Sequence, residues 1–332
     1  LGSVVLVAWV DAVFAAGGAR ARATALMSAG HDLAARHPAA LALVGDGHAL
    51  LRARSTGRIA GILGIEGGHA LEDDVGALED FFAAGLRVLT LVWNNHLSWI
   101  RSCQDGAGAG VPEGLSSLGR TIVRRMEELG ILVDLSHAGE RTFYDVLETT
   151  AAPVMASHSG CKSLHDHPRN LTDDQLRALA ANGGVVGIVF HPGFLDADAR
   201  AEENRVRTTD CYRAARGANP TALFLKQSAL MASLARPLGA ERLIEHVMHA
   251  LEVAGPAHVG LGSDFDGILR GPAGLEDASR YGLVAQGLLD KGVSDAVVRA
   301  VMGGNLERVF AAATGAGTAA ARDSIGVFSR AP

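Results

Sequence analysis

Apolar and polar positions fall into short blocks along this chain. Seven apolar runs have strand length: residues 4–10, 59–66, 87–94, 131–137, 153–158, 185–190 and 258–264. Most are followed by a stretch with helical spacing. The pattern predicts helices over 19–36, from Asp73 or Asp74 to 84, 117–129, 140–149, 173–181 with Thr172 as its cap, and 241–254. A mostly polar segment, 196–238, has helical portions and reads as an insertion or lid, and 275–313 reads as a helical tail. Strand, helix and next strand, repeated, make parallel βαβ units. The expected fold is therefore α/β, a TIM-like (β/α)8 barrel. Closing such a barrel takes eight strands. With seven in hand, the simplest expectation is a first strand that precedes Leu1, so that residues 1–332 form a single, N-terminally truncated barrel domain. An open seven-stranded sheet is the alternative.

Composition narrows the partners. The 332 residues are 48% hydrophobic, with mean hydropathy +0.19, enough for a sizeable core. Net charge is −6 and pI near 6.1, which disfavours nucleic acid and anionic membrane. Cys103, Cys161 and Cys211 are odd in number and form no CxxC pair, so a reducing, cytoplasmic setting is the easier fit. No apolar run is long enough to span a bilayer. Residues 1–10 lack the basic leader of a signal peptide and read as a buried strand.

The chemistry gathers at strand ends. Two apolar runs close in Ser-His, at His137 and His158, and the run at 59–66 closes in Glu66. Asp264 ends the last run. The C-terminal edge of a parallel sheet carries the active site in such folds. A set of Glu66, His137, His158 and Asp264 offers oxygen and nitrogen without thiolate. That suits zinc best, with manganese, iron or cobalt as other options. A carboxylate can bridge two ions, and metal binding lowers the pKa of bound water. Asp264 can bind metal or take that proton. Arg169, in the loop after His158, suits a substrate carboxylate. Gly45–His48 and His165–His167 are set aside as loop sequences, and His246 and His249 as packing or surface residues. His69, His96 and His191 stay in reserve.

Several stretches resemble the membrane (renal-type) dipeptidases, a zinc metallopeptidase family with many bacterial members. They are I-E-G-G-H at 65–69, V-D-L-S-H at 133–137, A-P-V-M-A-S-H-S at 152–159, H-P-R-N-L-T-D-D at 167–174, N-G-G-V-V at 182–186, H-V-G-L-G-S-D-F-D-G at 258–267 and G-G-N-L-E-R-V-F at 303–310. The resemblance implies a (β/α)8 barrel with two zinc ions. It implies hydrolysis of dipeptides, including those with a C-terminal D-residue, by a metal-bridging hydroxide. By the same resemblance Glu66 is the bridging ligand, His137 and His158 bind one zinc, Asp264 sits beside the bridging water, and Arg169 holds the substrate carboxylate. A homodimer is compatible with it.

Two departures stand out. The family's first strand ends in His-x-Asp, which binds the other zinc, and no His-x-Asp occurs in this chain. Trp93 stands where the family has a substrate-contacting histidine, with His96 three residues on as a partial substitute. Rival expectations follow: a catalytically degenerate small-molecule binding protein, or a related metal hydrolase of another amide or lactam.

Overall fold

The computed structural model describes residues 1–322. Residues 323–332 of the domain expected over 1–332 lie outside it. All seven expected strands form, and an eighth, short one joins them: β1 (Ser3–Trp9), β2 (Leu41–Leu43), β3 (Ile59–Glu66), β4 (Leu86–Thr90), β5 (Leu132–Asp134), β6 (Met155–Ser159), β7 (Val185–Val189) and β8 (Val259–Gly262). The hydrogen-bonded order is β1-β3-β4-β5-β6-β7-β8, with β2 on β3. The registers of β1, β2 and β4 on β3 are parallel. β1 runs along β3 from Ala60 to Glu66, while β2 takes residues 59–61 and β4 takes 63–66. One strand has only two edges, so β2 and β4 must share the edge opposite β1.

The chain folds as two compact units. One comprises residues 1–156, 181–185 and the chain from 306; the other comprises 157–180 and 186–305. In the first unit, β3 is buried from Ala60 onward. An unbroken apolar strand of this kind fits a parallel sheet covered on both faces. Its neighbours contribute to one core cluster: Ile62, Val88, Leu132, Met155 and Val185, one from each of β3 to β7, packed with Val309 and Phe310. The helix Ser117–Leu129 shows how the sequence sets its own limits. Ser116 Oγ accepts the Gly119 N–H, Gly130 closes the helix in the left-handed region, and Ile122, Val123, Met126 and Leu129 form its buried face.

In the second unit, β7 pairs with β8 in parallel. The helix Asp173–Ala181 opens with a reciprocal cap. The Gln175 N–H donates to Thr172 Oγ1, and the Thr172 N–H donates to Gln175 Oε1. The segment 196–238 folds as helices Ala197–Arg207, Asp210–Arg213 and Pro220–Leu234, with Val206, Tyr212, Met231 and Ala235 as a small core of their own.

Some boundaries differ from the pattern. The helix expected from Asp73 or Asp74 starts later, as Ala77–Ala83. Asp74 Oδ1 accepts the Gly76 N–H and so turns the chain before the helix rather than capping it. The strand expected over 131–137 keeps three residues, because Asp134 hydrogen-bonds sideways to Thr90 and the chain then turns. The helical tail is interrupted at Gly303, whose φ is 146°. The helix Gly47–Ser55 is not expected from the pattern. Its cap is Asp46, in the G-D-G-H that reads as a loop. No described helix is long and apolar enough to cross a membrane.

Candidate metal centre

Glu66 is the last residue of β3. The two glycines after it are required by space. Gly67 has φ 111°, and a Cβ there would overlap the His69 ring; a Cβ on Gly68 would overlap the Leu91 carbonyl. The chain can therefore turn sharply and leave the carboxylate at the strand end. Glu66 is 9% exposed, so the carboxylate has little water to solvate it.

His137 follows β5 in a left-handed conformation, φ 70°. A non-glycine residue held there is strained and persists only when its surroundings fix it. Here the Cys103 N–H donates to the His137 carbonyl at 2.8 Å. The ring is fixed as well: His137 Nδ1 lies 2.9 Å from Asn94 Oδ1, and Nε2 lies 2.9 Å from Glu66 Oε1. The amide oxygen of Asn94 is an acceptor, so Nδ1 carries the proton. If the imidazole is neutral, Nε2 then turns its lone pair toward the carboxylate. Two acceptors face each other, and only a proton or a metal cation between them makes the contact favourable. This donor set fits a divalent metal.

His158 is on β6, which begins in the first unit with Met155 and Ala156. Its Nδ1 is 2.7 Å from Ser157 Oγ. Its carbonyl accepts from Arg169 Nη2 at 3.3 Å. Glu66, His137 and His158 each offer a ligand atom, and these atoms lie within 4.8 Å of one another. Among the described residues this is the one such group, and Asp264 is not in it.

Both histidines stand in Ser-His, yet the serines differ. Ser157 touches the ring of its own histidine, whereas the Ser136 N–H donates to Asp134 Oδ1 and shapes the turn. The group orienting His137 is Asn94, which no sequence pattern singles out. It follows Trp93 at the end of an apolar run, and nothing in its spacing marks it.

Asp264 lies just beyond β8, again with positive φ, 56°. The Gly267 and Ile268 N–H groups both donate to its carbonyl, and a Cβ on Gly267 would overlap its carboxylate. D-F-D-G is thus a built turn that places a carboxylate. Arg169 is 4% exposed and passes 5.4 Å from the Phe194 ring. Phe194 is stacked between His167 and His191, at 4.3 and 4.4 Å. Burial pushes the pKa of each of these histidines down to about 3, so both are neutral supports for the Arg169 loop. Burial raises the Glu203 carboxyl, 3.8 Å from His191 Nε2. Within H-D-H, His167 thus packs against Phe194.

Of the remaining residues, Trp93 lies 6.3 Å from the His137 ring. His96 Nδ1 accepts the Ser102 N–H within its own loop. His246 is buried, with Nδ1 accepting from Cys161 N–H, and His249 pairs with Asp173 at 2.8 Å.

A family model described as membrane dipeptidase (peptidase family M19) matches residues 3–323. An uncharacterized dipeptidase of Schizosaccharomyces pombe is 33% identical over 258 residues, 77% of this chain and 54% of that protein. The chain thus spans about half the length of this curated relative. Among solved structures, a probable dipeptidase, PvdM, from Pseudomonas aeruginosa matches with TM-score 0.80 at 22% identity, covering 95% of this chain and 86% of its own. It shows the fold: α/β, of the TIM-like barrel class. A metallopeptidase from Rhodobacter sphaeroides, liganded with a phosphinate mimic of the dipeptide L-Ala-D-Ala, matches with TM-score 0.71 at 27% identity over 89% of this chain and 75% of its own.

Proposed function

This chain belongs to the membrane dipeptidase family, peptidase family M19, and from that premise we propose that it is part of a zinc-dependent dipeptidase. The observation that carries the reading is the contact between Glu66 and His137. An oriented imidazole nitrogen and a buried carboxylate oxygen stand 2.9 Å apart, with His158 beside them. Glu66, His137 and His158 would hold the metal. When bound, zinc lowers the pKa of a water and polarises the substrate carbonyl.

The chain's own residues supply the rest. Glu66 would provide the negative charge for a divalent ion, in a place largely closed to water. Asn94 holds His137 in the tautomer that presents Nε2. Asp264 accepts the proton of the attacking water and passes it to the leaving amine. Arg169 binds the free carboxylate of the dipeptide, its position fixed by the stacked His167, Phe194 and His191. Tolerance of a D-residue at the C-terminal position belongs to the same reading. It is supported by the relative crystallised with a mimic of L-Ala-D-Ala.

The test is amine release from Ala-Ala and Ala-D-Ala by zinc-loaded protein, by protein stripped with a chelator, and by stripped protein given zinc again. Turnover that disappears and returns with zinc is the expected result. Zinc binding without turnover of any dipeptide would replace the enzyme reading with that of a binding protein.

A further inference from the structure

Three tryptophans occur in the chain, and they have separate fates. Trp99 is fully buried in the core. Trp9 is 40% exposed, and Trp93 is half-buried. These two meet edge to face, with ring centroids 5.2 Å apart and planes at 70°. Their position is set by the sheet. Trp9 ends β1 in register with Glu66, so in a parallel pair both side chains leave the same face. Trp93 lies three residues past β4, and its ring is 6.3 Å from that of His137. Val7, two residues before Trp9 on the same face, is 51% exposed. An L-shaped indole corner thus stands directly beside the Glu66–His137 contact.

Trp93 sets a half-buried indole beside the His137 ring, with Trp9 packed edge to face against it. Beside a site for a peptide backbone, such a corner has an evident use. Indole faces take apolar and aromatic side chains, through area and through edge-to-face contact.

We propose that Trp93, backed by Trp9, is the specificity subsite of this centre, and that it takes a bulky apolar or aromatic side chain of the substrate. The inference rests on the dipeptidase reading for its substrate class. It adds the side chain: dipeptides containing phenylalanine or leucine are preferred over Ala-Ala.

The experiment compares Ala-Ala, Phe-Ala and Ala-Phe on zinc-loaded wild type and on the Trp93→Phe, Trp93→Ala and Trp9→Ala variants. The expected wild-type result is a kcat/KM at least about tenfold higher for one phenylalanine dipeptide than for Ala-Ala, the scale on which apolar pockets discriminate. Trp93→Ala should collapse that ratio, mainly through KM, Trp93→Phe should keep most of it, and Trp9→Ala should fall between. Indole fluorescence, two of whose three sources are at the corner, is titrated with the same dipeptides. Saturable quenching by a phenylalanine dipeptide that is weak with Ala-Ala and lost in Trp93→Ala supports the subsite. If wild type hydrolyses dipeptides without preferring phenylalanine, or if Trp93→Ala keeps the preference, the subsite is overturned while the dipeptidase reading stands. If nothing is hydrolysed, the dipeptidase reading fails, and the fluorescence titration alone decides the subsite: no selective quenching overturns it.

Discussion

Asn94 illustrates how a single side chain orients a candidate metal ligand from outside the candidate group. By fixing the His137 tautomer it presents a nitrogen lone pair to Glu66. Replacing it with a group that cannot accept, Asn94→Leu, should weaken zinc binding roughly 10- to 100-fold, the usual effect of losing such a partner. Competition against a chromophoric chelator measures this, and unchanged affinity would show that the tautomer is set elsewhere. Buried histidines make a second prediction. His167 and His191 are held neutral by burial, with pKa values pushed down to about 3 from an ordinary 6.5. Between these values the unfolded chain binds protons that the folded one refuses. Stability is therefore full above about pH 6.5 and falls on acidification toward pH 3, by at most ~1.4 kcal/mol per pH unit for each histidine. Denaturant midpoints at pH 7 and pH 5 should show the drop, and a His191→Gln variant should show a smaller one. An equal drop in both would remove His191 from the account.

Among the elements, β6, β7 and β8 approach unusually closely. A Cβ on Gly187 or on Gly262 would overlap the carbonyl of Ser157, the residue before His158. Gly262→Ala should force that strand apart, costing stability and displacing His158. Thermal unfolding together with zinc affinity would register both, and an unperturbed Gly262→Ala protein would mean the strands can yield. The Thr172 cap is milder: Thr172→Ala should cost about 1 kcal/mol by denaturant titration, since it leaves the Gln175 N–H without its acceptor. Elements of this kind are legible in the sequence. Gly130 and Thr172 are local signals, and the apolar runs of parallel strands are long enough to see. β2 is not legible, because three residues of L-A-L carry no period, and its pairing with β3 depends on contacts far along the chain. At the candidate centre, strand-end position reveals Glu66, His137 and His158 but hides Asn94 and Trp9. Their contacts with His137 and Trp93 arise from neighbours brought together only by the fold.

For the whole molecule, the family is established over nearly the entire chain, and the activity proposed for it depends on the metal. A ligand bound only by the folded state stabilises it by RT ln(1 + [L]/Kd), about 2.7 kcal/mol at a hundredfold excess over Kd. Zinc should therefore raise the melting temperature of the stripped protein by several degrees. The most direct measurement is a zinc titration of the stripped chain beside His158→Gln and Glu66→Gln, read as ions bound per chain. The account predicts at least one tightly held zinc in the wild type, lost or greatly weakened in both variants while their folds persist by circular dichroism. Equal binding in all three would contradict it.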